Sequence, residues 1–286
     1  MKIRELFKSG NLVRSFEVFP PKRDGNVEGL FATIQELRSL QPDFISVTYG
    51  AGGSTREMTF DIARRIKDLG LTALVHLTCV GHSQAELGNL LDKLKQAGIE
   101  NILALRGDPP KGQDRFIPAP DGFRWASELV AFIRSRWDFC VGVAGYPETH
   151  PEAKSPEDDL TALKRKAEAG ADFITTQLFF QNDAYFDYVR KLRLMGVELP
   201  VLPGIMPLMD TARIVDGRFF GARVPAELLE GMKMVSSDPD MAGEMGIGYA
   251  VEQCRNLVLR GVPGLHLYTM NKAWASLAIY KGVTGK

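Results

Sequence analysis

The sequence is poor in the residues that build metal and redox centres. Its 286 residues include three cysteines, Cys79, Cys140 and Cys254, far apart and with no CxxC pair. That argues against a zinc ribbon, a dithiol redox motif or a disulfide framework. Cys79 and Cys140 lie in apolar runs and are expected to pack as small hydrophobes. Of the four histidines, His82 and His266 fit no metal-ligand spacing, and no His/Asp/Glu cluster suggests a metal. Excess charge of either sign is missing too: 35 basic residues balance 35 acidic ones, so no global field draws nucleic acid or an anionic membrane. No apolar run approaches the ~18 residues of a membrane span. The N-terminal MKIRELFKSGNLVRSFEVF lacks the apolar core of a signal peptide, so a cytoplasmic protein without membrane insertion is expected. There is no nucleophile elbow G-x-S-x-G, and no glycine fingerprint follows the first apolar run. No linker or low-complexity stretch divides the chain, so 1–286 reads as a single domain.

What is present is an alternation of two textures. β-branched or aromatic runs fall at Val13–Phe19, Phe44–Thr48, Ala73–Cys79, Asn101–Leu105, Phe139–Ala144, Phe173–Phe179, Val201–Ile205 and Leu265–Tyr268. Between them lie stretches with 3.6-residue apolar spacing, such as Leu87, Leu90, Leu91 and Leu94. The joints repeat: in 94–103 and 166–175 a helix ends on glycine, an acidic residue turns the chain, and an apolar strand follows. Eight strands each followed by a helix predict an α/β fold, a closed (β/α)₈ TIM barrel rather than an open sheet. The chain is a few dozen residues longer than the ~250 typical of that fold. The excess is assigned to an extended helical insertion in the seventh βα unit, with extra helices over Pro225–Lys233 and Met241–Leu259. The methionines around 206–245 read as loose packing of that insertion.

In such barrels the chemistry sits at the C-terminal ends of the strands. Those positions here are Glu17, Thr48-Tyr49, His76 and Thr78, Arg106-Gly107-Asp108, Tyr146 with His150, Gln177, Pro203-Gly204, and Tyr268 with Asn271. Eight polar strand ends converging on one mouth make a ligand site. Glu17 stands out within the apolar Ser-Phe-Glu-Val-Phe-Pro-Pro run. Alternation sends Ser15, Glu17 and Phe19 to one face and Phe16 and Val18 to the other. A buried carboxyl costs several kcal/mol, on the order of a desolvated charge, unless paired. It is either an inter-strand salt bridge or a general acid whose pKa burial raises.

Gly142 on the fifth strand leaves room for something flat or serves simple layer packing. Arg106 and Asp108 either serve a ligand or pair with each other. Asp159, Arg165 and Lys166, with His150, can hold a pyrophosphate, although the residues alone favour a solvated basic face. The 49–55 loop, Tyr-Gly-Ala-Gly-Gly-Ser-Thr, lacks the spacing of a nucleotide P-loop and reads as a flexible loop beside a ligand.

Seven motifs in order, Ser15-Phe-Glu-Val-Phe-Pro-Pro21, Ser46-Val-Thr-Tyr-Gly50, His76-Leu-Thr-Cys79, Leu105-Arg-Gly-Asp108, Tyr146-Pro-Glu-Thr-His-Pro-Glu-Ala153, Thr176-Gln-Leu-Phe-Phe180 and Tyr268-Thr-Met-Asn271, resemble the flavin-dependent methylenetetrahydrofolate reductases. The resemblance covers essentially the whole chain and is to the short, bacterial-type catalytic module without an added regulatory domain. It implies a barrel holding FAD non-covalently, in the tetrahydrofolate branch of one-carbon metabolism. The implied reaction reduces 5,10-methylenetetrahydrofolate to 5-methyltetrahydrofolate by ping-pong hydride transfer through flavin N5, with NADH or another donor as reductant.

Carried over by residue, Glu17 is implied as general acid to N10 of the folate, and Asp108 as the residue tuning flavin and developing cation. Gln177, Tyr268, Lys272 and the Arg213 position are implied for substrate. Thr48, His76, Arg106, Gly107, Asp108, Ala126, Tyr146, His150, Asp159, Arg165 and Lys166 are implied for FAD, which reverses the solvated reading of the basic face. Three positions depart from the family pattern. Lys272 replaces an arginine and loses its bidentate fork. Ala162 replaces an asparagine. The segment after Pro207 lacks an aromatic and a glutamine, with Arg213 and Gly217 in their places, which bears on nicotinamide use. The partners implied are the folate and either a second copy of the chain or a redox subunit. The competing readings are a catalytic barrel fed by an electron-transfer complex and a flavin-free pterin-binding methyltransferase.

Overall fold

A computed structural model describes the chain apart from residues 22–24, 50–55, 110, 111, 113–115, 213 and 286, and the side chains of Arg56 and Glu57. The 50–55 part of the glycine-rich loop and Arg213 therefore lie outside the described residues. Parallel strands β1 (Val13–Val18), β2 (Phe44–Val47), β3 (Ala73–Thr78), β4 (Asn101–Leu105), β5 (Cys140–Gly145), β6 (Phe173–Leu178) and β7 (Val201–Ile205) are joined by an eighth, β11 (Gly264–Tyr268). β11 pairs with both β7 and β1 and closes the barrel. All eight expected strands form, none displaced by more than a residue at either end. Helices α1 (Val27–Arg38), α2 (Arg56–Asp68), α3 (Gln84–Gln96), α4 (Ala126–Arg136), α5 (Pro156–Glu168) and α6 (Asn182–Leu194) follow the first six strands in turn.

The repeated joints have a physical basis. Gly98 and Gly170 sit two residues past the helix ends with φ of 69° and 107°, a conformation that a Cβ disfavours. The acid that follows ties the strand floor together. Asp172 accepts the Val141 N–H at 2.7 Å, and Asp43 accepts the Arg14 N–H at 2.7 Å, so each side chain extends the ladder to its neighbour.

The segment between β7 and β11 differs from expectation. It carries three two-residue strands, β8 (Ile214–Val215), β9 (Arg218–Phe219) and β10 (Ala222–Arg223), then α7 (Ala226–Met234) and α8 (Pro239–Leu259). α8 packs against α6 and the final helix α9 (Ala273–Thr284), so it fills the seventh place in the outer ring. The added material is the small antiparallel sheet and α7. Its two hairpins turn on Asp216-Gly217 and Phe220-Gly221, all four at positive φ, as two-residue hairpins of opposite twist to ordinary turns require. Strands this short leave no alternation to read in a sequence. Met206 and Met232 are buried in the cluster beneath them, whereas Met234 and Met241 are exposed.

A 3₁₀ turn over Ile3–Ser9 closes the N-terminal end of the barrel. Ile3, fully buried, and Phe7 meet a floor made by Val13, Phe44, Leu74, Leu103, Cys140, Phe173 and Leu202, one residue from each of seven strands. Asn101 fastens the turn, accepting the Ile3 N–H at 2.8 Å while donating to Met1 O and Ala73 O. Gly142 belongs to this floor. A Cβ there would lie 2.4 Å from the Phe173 ring, so the missing side chain makes room for a neighbour and layer packing is its role. Gly142→Ala is expected to lower stability by about 1–3 kcal/mol through overpacking. Gly142→Ala combined with Phe173→Leu should recover part of the loss. Urea unfolding of the two variants checks this, and an unchanged midpoint in the single variant contradicts it.

Candidate active site

Above the apolar floor the lumen turns polar. Ser15 and Glu17 on β1, Ser46 on β2, His76 and Thr78 on β3, Thr175 on β6 and His266 on β11 are all buried. They follow from alternation: each stands two or four residues beyond a floor residue or on the same face. Glu17 Oε2 is the meeting point. It lies 3.2 Å from His76 Nε2, 3.4 Å from His266 Nε2 and accepts a hydrogen bond from Ser46 Oγ at 3.3 Å. Its other oxygen has no hydrogen-bond partner among the described residues.

This arrangement corrects the expected titration of Glu17. Burial pushes the carboxyl up, but the imidazoles of His76 and His266 outweigh it and hold the pKa at about 2. Glu17 is thus ionised at neutral pH, and any role as an acid requires it first to gain a proton. The inter-strand partners of the salt-bridge reading are histidines, one on each side, which pair with the carboxylate as ions when protonated.

The exit of β1 is latched by β11's loop. Thr269 Oγ1 donates to Glu17 O at 2.6 Å, Asn271 Nδ2 donates to Phe19 O at 2.7 Å, and Phe19 N–H returns a bond to Asn271 Oδ1 at 2.9 Å. The Tyr-Thr-Met-Asn motif therefore holds the backbone on which Glu17 sits. Tyr268 lies across Gly204, where a Cβ would meet its hydroxyl at 2.8 Å. It donates to Thr176 O at 2.7 Å. Burial and the Glu17 charge push its phenol well up, so it stays neutral.

A second group lines the mouth. A cleft of about 160 Å³ is bounded by Asp108, Tyr146, His150, Glu152, Gln177 and Phe220, among others. Arg106 forks onto Glu152 at 2.6 and 2.8 Å, so its partner is Glu152 and not the adjacent Asp108. His150 Nδ1 accepts the Glu152 N–H at 3.0 Å, and Asp159 accepts the His150 N–H at 3.1 Å. Burial and then Arg106 push the His150 pKa down, while burial pushes Asp159 up against the His150 N–H and Lys166.

Lys166 turns inward from α5 to donate to Ala144 O at 3.0 Å. It forms no ion pair among the described residues, and burial lowers its pKa to about 8. Arg165 beside it is exposed, so the two adjacent cations divide, one into the barrel wall and one into solvent. Thr78 Oγ1 is buried with no hydrogen-bond partner among the described residues.

The remaining candidates fall around the same mouth. Gly107, at φ 87°, passes so close to Val80 and Thr78 that a Cβ would clash at 2.6 Å. Ala126 is buried at the first position of α4, and Thr48 follows β2 with its N–H on Val18 O. Gln177 uses its Oε1 to accept the Leu178 N–H at 2.9 Å. Lys272 caps the start of α9 with an exposed side chain. Several participants were not singled out from the sequence, among them Ser46, Glu152, His266 and Phe220. His266 was set aside as a metal ligand, although the run Leu-His-Leu-Tyr places it on the Tyr268 face by simple alternation. Phe220 is brought to the cleft by the hairpin sheet, so an aromatic ring does stand near the mouth in the segment after Pro207.

The cysteines are all buried and free, with pKa values raised to about 12 by burial. No metal-binding cluster exists among the described residues. No helix among them is long and apolar enough to cross a membrane. A larger groove of about 440 Å³ lies outside the barrel between α1 and α2, lined by Glu28, Phe31 and Arg65. Arg65 lies over Phe31 and bonds Glu28 there, and no lumenal group reaches it.

The family model described as methylenetetrahydrofolate reductase matches residues 2–284. The chain belongs to that family. The 5,10-methylenetetrahydrofolate reductase of Escherichia coli is 36% identical over 274 residues, 94% of this chain and 90% of that protein. Methylenetetrahydrofolate reductase (NADH) 1 of Arabidopsis thaliana is 38% identical over 291 residues, covering 97% of this chain. The chain spans about half, 49%, of that plant relative's length. Among solved structures, a Clostridium thermocellum protein described as binding two copies of 5-methyl-5,6,7,8-tetrahydrofolic acid matches at TM-score 0.62. It is 14% identical, with 98% of this chain and 97% of that one covered, a likeness of fold alone. The reductase family thus contains a barrel whose lumenal carboxylate is bracketed by two histidines.

The depressed Glu17 pKa has a measurable consequence. A carboxyl at about 2 when folded and 4.5 when unfolded adds stability that is full above pH 4.5. That stability drains away as pH falls from there towards 2. Glu17→Gln should remove this part of the acid limb, so its stability falls less steeply than the wild type's across that window in urea titrations. Parallel curves would show that Glu17 is not held ionised.

Proposed function

We propose that the chain reduces 5,10-methylenetetrahydrofolate to 5-methyltetrahydrofolate with FAD held non-covalently at the barrel mouth and NADH as reductant. The observation that carries this reading is a buried carboxylate at the open end of the lumen, in a chain of this reductase family, with protonatable groups on both sides of it. The name of the Arabidopsis relative supports NADH as the donor, and the folate bound by the Clostridium barrel supports a folate in this fold.

The residues at the mouth fit a dinucleotide. Lys166 is a partly desolvated cation whose contact is a backbone carbonyl, and Thr78 has a buried hydroxyl still to be satisfied among the described residues. Arg106, Lys166 and His150 suit the charged diphosphate. Thr48, His76, Gly107, Ala126, Tyr146, Asp159 and Arg165 are the further positions proposed to border it. The cleft of about 160 Å³ is below the ~300–1,000 Å³ usual for ligand pockets, and Arg106 would exchange its fork on Glu152 for the diphosphate. FAD, when bound, supplies hydride acceptance and donation.

The chain's own residues do the rest. Glu17 delivers a proton to N10 of the folate, which opens the five-membered ring to an iminium and prepares the carbon for hydride. Asp108 at the cleft edge favours the developing positive charge. Gln177 offers its amide NH₂ to the pterin edge while Leu178 N–H fixes its Oε1. Tyr268 walls the substrate space, Lys272 is proposed to meet the folate's glutamate tail, and the Arg213 position is proposed to border the folate or nicotinamide. The burial of Glu17 strengthens its own interactions.

The test separates the two half-reactions. Purified protein reconstituted with FAD should show the visible flavin band and lose it anaerobically with NADH. Glu17→Gln should keep that bleaching nearly intact while folate-dependent reoxidation falls by roughly 10²–10⁴. Failure to bind flavin, or an equal loss in both halves, overturns the reading. Absent bleaching with intact turnover from an artificial donor reassigns the reductant to a protein partner.

A further inference from the structure

His266 is wired differently from His76. Ser15 Oγ donates to Leu265 O at 3.1 Å and also lies 2.8 Å from His266 Nδ1. A hydroxyl has one hydrogen: given to Leu265 O it leaves the oxygen to accept and puts the imidazole proton on Nδ1, whereas given to Nδ1 it puts that proton on Nε2, and the first arrangement is the one assigned here. The nitrogen facing Glu17 is then Nε2, 3.4 Å from Oε2. In the neutral ring Nε2 is a lone pair opposite another acceptor, and two buried acceptors face each other only at a cost. A single proton between them removes the conflict, on either atom. The ring cannot readily turn away, because it stacks on Phe44 at 6.0 Å and takes Tyr268 edge-on at 5.3 Å.

We propose that Ser15 and His266 are positioning residues that keep one proton between His266 Nε2 and the Glu17 carboxyl, so that the acid enters the ligand-filled lumen with its proton at hand. This rests on Glu17 being the donor to the folate. The titratable and polar groups facing Glu17 are His76 on β3, His266 and Tyr268 on β11, and Ser46 on β2. Tyr268 spends its hydroxyl on Thr176 O and Ser46 already donates to Oε2. Neither can supply the shared proton, which leaves the two imidazoles, His76 at 3.2 Å and His266 at 3.4 Å, of which His266 has a hydroxyl on its far nitrogen.

In the step, the Nε2–H bond breaks and the carboxyl gains the proton, which then bonds to N10 of the folate. What remains is a neutral ring protonated on Nδ1 and a carboxylate. No electrons move in this transfer. With His266 1% exposed and the floor shut, the pair regains a proton from solvent through the mouth after product leaves. A histidine-held proton also explains how a carboxyl with a depressed pKa can act as an acid.

Nitrogen-15 NMR of the imidazoles in the FAD-loaded protein tests the wiring directly, with His266→Gln used only to assign the signal. The expected result is a proton on Nδ1 at every pH, with Nε2 gaining or losing the second. A neutral ring protonated on Nε2 overturns the inference while leaving Glu17's role standing. Ser15→Ala should let the Nε2–H tautomer appear. It should also move the alkaline limb of the folate half-reaction down by roughly one pH unit, a tenfold loss of rate there. The pH profile of flavin reduction is the control, because a general structural loss would move both. Ser15→Thr, which keeps the hydroxyl, should restore the wild-type profile. An unchanged profile in Ser15→Ala also overturns the inference. A normal folate half-reaction in Glu17→Gln instead overturns the reading beneath it.

Discussion

The convergence of two imidazoles on one carboxylate oxygen inside the closed sheet is the contact around which the rest is arranged. A lone carboxylate in that lumen would be prohibitively desolvated, and hydrophobic packing gives no relief. The protein meets the cost with His76 from β3 and His266 from β11, the strands that flank β2 and β1 on either side. Ser15, Ser46, Thr269 and Asn271 then fix the distances by holding ring, carboxyl and backbone in turn. Removing any one of them loosens a charge balance and not merely a contact.

The barrel was legible because its signals are local and repeated. Alternating runs, glycine ends and acidic turns each have a short-range physical cause, and Asp43 and Asp172 show the acids bonding the preceding strand's backbone. The hairpin sheet after β7 was not legible. Its strands are two residues long, and Phe220 owes its place at the cleft to turns that no apolar pattern announces.

The site was legible in part, for a related reason. Which side chains face the lumen follows from alternation, so Glu17, His76, Gln177 and Tyr268 could be named from position. Which of them touch depends on the shear of the closed sheet, and this is why His266 was passed over and why the carboxyl was expected to shift upward. Arg106 shows the same limit: adjacency in sequence suggested Asp108, whereas the chain folds Glu152 back from 46 residues away to take its fork. Lys166 and Arg165 look equivalent as letters, yet a helix turns one onto Ala144 O and leaves the other outside.

The 3₁₀ turn at Ile3–Ser9 makes the barrel a vessel with a single opening. Everything that reaches the polar layer, ligand or proton, must leave by the route it came. The seven residues that shut its base thus set the direction of traffic at the strands' other end, far from where they sit.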